Sequence, residues 1–322
     1  MRKFLTGNGK FGVLFVLFAL AVSASAQVKL RRAMDTDGDN RADYSVFRPS
    51  NNTWYILKSG GGYTFQNFGL ANEDFMAPGD FDGDNKGDIS VWRDTTGVWY
   101  RLNSSNNTFA AVGFGITGDE PVGRDYDGDG KTDLAVVRRT NGAMIWYVLR
   151  SGDGGFSGVQ FGLQTDFTAP GDYDGDGKFD IGIQRPGATA TSQSVFYIQR
   201  SSDGGYDVVS WGLSNDLVVP GDYDGDGKTD IAVVREGATP TSNLTWYIRR
   251  SSDGGLIASI FGITSSDLNA QNDYDGDGKT DIAIWRNSTG TFYILSSTGG
   301  GSTSVVSWGS PSDFPVASYD TH

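Results

Sequence analysis

The chain has no cysteine, and its one histidine among 322 residues is the last, His322. Without cysteine there can be no disulfide, thiolate zinc site, thiol nucleophile or cysteine-borne lipid. With the single histidine at the C-terminus, neither a Ser-His-Asp triad nor a histidine-ligated metal is credible. Basic residues are also scarce: 26 Lys and Arg stand against 39 Asp and Glu, a net charge of −13. A phosphate backbone needs a basic surface, so no nucleic-acid partner is expected. Long apolar runs are nearly absent too. The longest, Phe11 to Val22, has 12 residues, too few to span about 30 Å of hydrocarbon, so no membrane span is expected. What the chain does have is 13% aromatic residues and 46 glycines, with enough length to bury a large core.

The apolar run has a different reading. It follows Arg2, Lys3 and Lys10 and precedes Ala24-Ser25-Ala26, a small-x-small cleavage signature. Residues 1–26 therefore read as a secretory signal peptide. The mature chain, residues 27–322, reads as one domain that works in the periplasm, at the cell surface or outside the cell.

Nearly all of that domain is one unit written six times. An Asp-rich loop starts at Asp35, Asp80, Asp125, Asp172, Asp222 and Asp273, with spacings of 45, 45, 47, 50 and 51 residues. Each loop leads into a β-branched run such as DISVWR or DIAVVR, then a turn. An aromatic pair follows: Trp54-Tyr55, Trp99-Tyr100, Trp146-Tyr147, Phe196-Tyr197, Trp246-Tyr247 and Phe292-Tyr293. A Gly-rich turn and a last extended run ending in Phe-Gly or Trp-Gly complete the unit. Four short strand candidates per unit, with no 3.6-residue periodicity, predict four-stranded blades in a closed array. The predicted fold is all-β, a six-bladed β-propeller. A tail, Asp313 to Asp320, resembles the first strand of a further unit and reads as a closing strand. A seven-position ring with one incomplete blade is the alternative.

The loop pattern is D-x-D-G-D-[GN]-x-x-D. Its carboxylates are Asp35, Asp37, Asp39 and Asp43 in the first loop, then Asp80, Asp82, Asp84 and Asp88, then Asp125, Asp127, Asp129 and Asp133. The later loops carry Asp172, Asp174, Asp176 and Asp180, then Asp222, Asp224, Asp226 and Asp230, then Asp273, Asp275, Asp277 and Asp281. Alternate acidic residues converge when a chain curls around a cation. The sixth position is only Asn40, Asn85 or Gly, the residues that best tolerate a left-handed backbone. The seventh, always basic, is expected to offer its carbonyl: Arg41, Lys86, Lys131, Lys178, Lys228 and Lys279. An oxygen-only donor set of this size suits Ca²⁺, and about six ions are expected. An EF-hand is excluded, since it requires Glu at position twelve and these loops have Val or Ile. Charge agrees: residues 27–322 carry −16, and six divalent ions would leave −4.

The succession of Phe-Gly, D-x-D-G-D-G-x-x-D and a β-run resembles the FG-GAP or VCBS-type repeat of integrin-α-like β-propellers, in particular secreted bacterial forms. The resemblance covers about residues 28–320. It implies that the loop joins the first and second strands of a blade, that the first strand lies nearest the axis, and that the loops ring one face. The Gly-Ala-Pro element of the integrin repeat is absent, so integrin partners are not implied. Near its place stands a recurring Arg (Arg48, Arg93, Arg138, Arg185, Arg235 and Arg286). We expect it to be structural, paired with a neighbouring blade's acid or bonded to loop carbonyls.

Two units depart from the pattern with longer turns, Pro186–Val195 and Glu236–Thr245, expected on the face opposite the Asp loops. Three functions fit: a binding, adhesion or envelope-assembly module for an extracellular protein; a calcium-dependent lectin for a glycan; and a polysaccharide-active enzyme. The last is disfavoured, because 24 of the 39 acids lie in the loops and the rest look scattered, with no catalytic pair in evidence.

Overall fold

The structure, a computed structural model, describes residues 33–298 and 300–316. The signal peptide expected at residues 1–26 lies outside them, as do residues 317–320 of the tail and His322. Among the described residues no helix is long and apolar enough to cross a membrane.

The chain forms six four-stranded antiparallel sheets. Blade one holds β1 (Tyr44–Arg48), β2 (Thr53–Leu57) and β3 (Tyr63–Asn67). Blade two is β4 (Asp74–Met76), β5 (Ile89–Arg93), β6 (Val98–Leu102) and β7 (Phe109–Gly113). Blade three is β8 (Glu120–Pro121), β9 (Leu134–Thr140), β10 (Ala143–Leu149) and β11 (Phe156–Leu163). Blade four is β12 (Phe167–Thr168), β13 (Ile181–Arg185), β14 (Gln193–Gln199) and β15 (Tyr206–Leu213). Blade five is β16 (Leu217–Val218), β17 (Ile231–Arg235), β18 (Asn243–Arg249) and β19 (Leu256–Ile263). Blade six is β20 (Asp267–Asn269), β21 (Ile282–Arg286), β22 (Thr291–Leu295) and β23 (Thr303–Ser307). The last strand, β24 (Phe314–Pro315), returns to blade one and pairs with β1 through Phe47↔Phe314 and Val46↔Pro315. The described part of the tail therefore supplies the innermost strand of blade one. The ring has six positions, and the seven-position alternative is wrong: the fragment that suggested it completes the first sheet.

Burial follows position within the blade. Second strands such as β1 and β5 are buried on both faces in their middle, because a neighbouring blade covers each side. Outermost strands alternate exposed and half-buried residues. On each third strand the pleat sends the two aromatics of a pair to opposite faces. Trp54, Trp99, Trp146, Phe196, Trp246 and Phe292 are all at most 2% exposed, while their Tyr neighbours stay half-buried.

The buried indoles explain the aromatic-Gly dipeptide. Trp54, Trp99, Trp146 and Trp246 each donate Nε1–H to the carbonyl of Phe68, Phe114, Phe161 and Phe261, at 3.0–3.1 Å. A buried donor without such a partner would cost about 1–3 kcal/mol. The two blades with Phe in place of Trp supply other donors. Ser194 Oγ–H takes the Trp211 carbonyl at 2.6 Å, and Trp285 Nε1–H takes that of Trp308 at 3.2 Å. The glycine that follows takes positive φ: it turns the chain out of the strand at Gly115 (113°) and Gly309 (113°), whereas Gly162, Gly212 and Gly262 lie inside their strands, where the ladder shifts register.

Candidate metal-binding ring

In blades two to six the Asp loop joins the first and second strands, and in all six it enters the second strand from the same end, so the loops share one face. In blade one, where the first strand comes from the C-terminus, the loop Asp35–Asp43 leads directly into β1.

The loop shape is held by its own backbone. The first Asp accepts two N–H groups: in the fourth loop Gly175 N–H and Gly177 N–H reach Asp172 at 2.7 and 2.9 Å. The sixth position must have positive φ to aim that second N–H, and it does at Asn40 (68°), Asn85 (67°) and Gly278 (89°). The fifth Asp accepts the N–H of the basic residue at position seven, as Asp176 does from Lys178 at 2.8 Å. The ninth Asp accepts the N–H of position two, at 2.8 Å for both Tyr173→Asp180 and Tyr223→Asp230.

A serine that sequence reasoning missed completes each site. It lies in the turn after the third strand, on the same face as the loops. Its N–H donates to the ninth Asp in all six blades, from Ser59, Ser104, Ser151, Ser201, Ser251 and Ser297, at 2.6–2.8 Å. Its hydroxyl reaches the fifth Asp, for example Ser251 Oγ to Asp226 at 2.8 Å. The signal was legible, because a Ser stands in that turn in every unit.

Carboxylate oxygens converge to within 4.8 Å in these loops. The groups are Asp35–Asp37–Asp39, Asp80–Asp82–Asp88, Asp125–Asp127–Asp133, Asp172–Asp174–Asp180 and Asp222–Asp224–Asp230. Positions one and three thus always take part, joined by position nine in four of these five loops. Burial pushes several of these carboxyls upward, with neighbouring Asp charges adding to the shift. Asp43, Asp80, Asp133, Asp180 and Asp230 rise to about 6, and Asp172, Asp222 and Asp281 to about 7. Crowded, partly desolvated carboxylates are stabilised by a cation or by a proton. In the first loop the buried Asp37 Oδ1 has no hydrogen-bond partner among the described residues. The donor set is oxygen alone, so a hard cation fits.

The loops are also joined to one another. The N–H at position eight of each loop donates to the carbonyl of the first Asp in the preceding loop: Gly87→Asp35, Thr132→Asp80, Phe179→Asp125, Thr229→Asp172 and Thr280→Asp222, at 2.6–2.9 Å. Ala42→Asp273 closes the circle at 2.8 Å. The basic side chain at position seven lies across the preceding loop. A Cβ added at Gly38, Gly83, Gly128, Gly175, Gly225 or Gly276 would come within 2.7–3.1 Å of the stem of Lys86, Lys131, Lys178, Lys228, Lys279 or Arg41, respectively. The fourth loop position needs glycine for its positive φ, and any side chain there would also have to displace this stem.

The recurring Arg is structural, with a partner that differs from expectation. Arg48, Arg93, Arg138, Arg185, Arg235 and Arg286 grip Asp313, Asp74, Asp119, Asp166, Asp216 and Asp267 through Nε and Nη2 at 2.7–3.0 Å. These acids belong to the same blade, not a neighbouring one, because the innermost strand pairs with the strand that carries the Arg, as Asp74↔Arg93 shows. Each guanidinium also lies 4.1–4.8 Å from the centre of the blade's Tyr ring. The acids outside the loops are thus less scattered than they look in sequence. Six of them form this second repeated set, a few residues after each aromatic-Gly dipeptide.

The long turns join second to third strands and so lie on the face opposite the loops. They are shorter than expected: β14 resumes at Gln193 and β18 at Asn243, because the antiparallel ladder continues past a bulge in each. Each folds back on its own blade, with Gly187 N–H donating to Ser214 Oγ at 2.7 Å and Gly237 N–H to Thr264 Oγ1 at 2.9 Å.

Residues 125–183 match the family model of the FG-GAP-like repeat. No curated protein matches the sequence. Similar solved structures include virginiamycin B lyase from Staphylococcus aureus, with 9% identity, 84% of this chain and 85% of that chain covered, and a TM-score of 0.45. Regucalcin from Agrobacterium tumefaciens, described as a calcium-binding protein, has 11% identity, 90% and 98% coverage and a TM-score of 0.42. AztD from Citrobacter koseri has 12% identity, 84% and 87% coverage and a TM-score of 0.38. At such scores they carry no argument about ligand or chemistry.

Proposed function

We propose that this FG-GAP-type six-bladed propeller is an exported binding module whose six Asp loops hold structural Ca²⁺, leaving the opposite face to meet an extracellular partner. The observation that carries the reading is the closed circle of loops. Convergent, partly buried carboxylates stand in a ring whose members are hydrogen-bonded to one another. Asp at positions one, three, five and nine and the carbonyls of Arg41, Lys86, Lys131, Lys178, Lys228 and Lys279 would supply the oxygens. The ions would neutralise crowded charge and stiffen the face. Export is supported by the leader-like composition of residues 1–26.

A non-catalytic role is supported by what the remaining repeated acids do. Asp74, Asp119, Asp166, Asp216, Asp267 and Asp313 are each gripped by the guanidinium of an Arg in the same blade, so their oxygens are already engaged in holding the blade together.

Calorimetric titration of chelator-treated protein with Ca²⁺, with melting followed at each step, tests the reading. About six sites and a melting point that climbs as they fill are expected. A site held at 100-fold its Kd contributes about 2.7 kcal/mol. Absence of both binding and stabilisation would overturn it.

A further inference from the structure

The face opposite the Asp loops carries a cavity of about 730 Å³, within the range of small-molecule sites, roughly 300–1,000 Å³. It sits where the innermost strands of blades three, four and five begin, with Phe75 of blade two on one side. Its apolar surface comes from Phe75, Phe167, Leu217 and Val218. Phe167 is 49% and Leu217 37% exposed, large apolar groups left open inside a concavity.

Two departures from the repeat meet in its wall. The residue after the Arg-paired Asp is apolar in five blades (Phe75, Phe167, Leu217, Leu268 and Phe314) and Glu120 in blade three. The residue after the strand-end Arg is Pro49, Asp94, Pro186, Glu236 or Asn287 elsewhere, and Arg139 in blade three. Arg139 and Glu120 form an ion pair with each other. Thr168 of blade four donates its hydroxyl to Glu120, and Arg139 Nη2 donates to the Asp166 carbonyl at 3.1 Å. Repetition alone would not place this pair; it cross-links blades three and four in the wall of the cavity.

The lining carries more acids than bases. Asp119, Glu120, Asp166, Asp216 and Glu236 border the cavity against a single guanidinium, Arg139. Arg138, Arg185 and Arg235 neutralise the three Asp from outside the lining, over their Tyr rings. Glu120 neutralises Arg139. The exposed Glu236, at the mouth of the longer turn of blade five, makes no ion pair among the described residues. An apolar floor with one uncompensated carboxylate at its edge selects for an apolar body that bears a positive charge.

We propose that this cavity binds a small amphiphilic cation, an amine on an apolar body, with the body on Phe75, Phe167 and Leu217 and the ammonium toward Glu236. The proposal gives the binding-module reading a ligand class and stands independently of calcium. A protein that binds Ca²⁺ and not the probe overturns the cavity alone, whereas one that binds the probe and not Ca²⁺ overturns the metal reading alone.

The test uses the full chain in calcium buffer and two probes with the same apolar body, 4-phenylbutylammonium and 4-phenylbutyrate, followed by calorimetry and ligand-observed NMR. The ammonium is expected to bind at least tenfold more tightly than the carboxylate. Glu236→Gln is expected to remove most of that difference while leaving the melting point unchanged, since the residue is exposed. Leu217→Lys is expected to abolish ammonium binding, and retained Ca²⁺ binding and melting would show that the variant is folded. If neither probe binds at millimolar concentration, if the two bind equally, or if the ammonium binds Leu217→Lys as tightly as the unaltered protein, the proposal is wrong.

Discussion

The sixth loop position offers a perturbation whose cost is almost purely conformational. Gly278 has φ +89°, and a Cβ built there meets nothing within 4 Å. Its N–H donates to Asp273 at 3.0 Å, and the Asp273 carbonyl accepts from Ala42 at 2.8 Å to close the circle of loops. Gly278→Ala therefore adds a methyl group with no clash, and its effect is the strain of a left-handed backbone, about 1–2 kcal/mol. At a few degrees of melting point per kcal/mol in a chain of this size, a drop of about 2–6 °C is expected in chelator. Gly278→Asn is expected to cost far less, because the chain itself places Asn40 at φ 68° and Asn85 at φ 67° in the same loop position. If Ala relieves its strain by rotating away from Asp273, the sixth site also loses its pre-formed first ligand. Its Ca²⁺ affinity then falls by about tenfold for each 1.4 kcal/mol. Differential scanning calorimetry with and without Ca²⁺ reads both effects. An Ala variant that melts with the unaltered protein, or an Asn variant as damaged as Ala, would refute the account of this position.

Two further predictions follow from the charges. Asp166→Asn removes the buried partner of Arg185, weakens the acceptor of Leu163 N–H and should cost about 2 kcal/mol. A milder cost in the double variant Asp166→Asn/Arg185→Met than in the single one is the expected sign of an orphaned guanidinium, read by a double-mutant cycle in thermal unfolding. The loop carboxyls set a pH dependence that changes sign with calcium. In the folded, metal-free chain burial lifts Asp172, Asp222 and Asp281 to about 7 from an ordinary 3.8, so between those values the folded state holds more protons than the unfolded one. Stability then falls as pH rises through that window. The melting point in chelator should thus increase from pH 7.5 to 5.5. With Ca²⁺ present it should decrease over the same range, because protons displace the ion. A metal-free protein that loses stability on mild acidification contradicts the burial of these groups.

Much of the fold could be read from the repeat, and the reason is physical. A blade is a local object: its strands are neighbours in sequence, and the β-branched runs, paired aromatics and Gly-rich turns specify it six times over. Glycine or asparagine at the sixth loop position likewise reports a local backbone requirement. Relations between units were harder to read. That Arg93 would find Asp74, nineteen residues earlier, depends on antiparallel pairing of the first and second strands. Lys228 crossing Gly175 depends on how two successive blades are rotated about the axis. The serine that buttresses each ninth Asp lies on a different turn, 16 residues later at Ser59 and 21 at Ser201, so no fixed-length motif contains both.

The all-β class, the repeated blade and the acidic loops are legible in the chain alone, because each rests on contacts a few residues apart and recurs often enough to average out accident. That six units close without a seventh is a matter of long-range packing, since closure requires Phe314 to meet Phe47 across almost the whole chain. The same packing joins the loops into a circle and brings Glu120 to Arg139 in the wall of a cavity shared by several blades. Such contacts are set by the rotation of one blade against the next, a property of packed sheets that no single repeat contains.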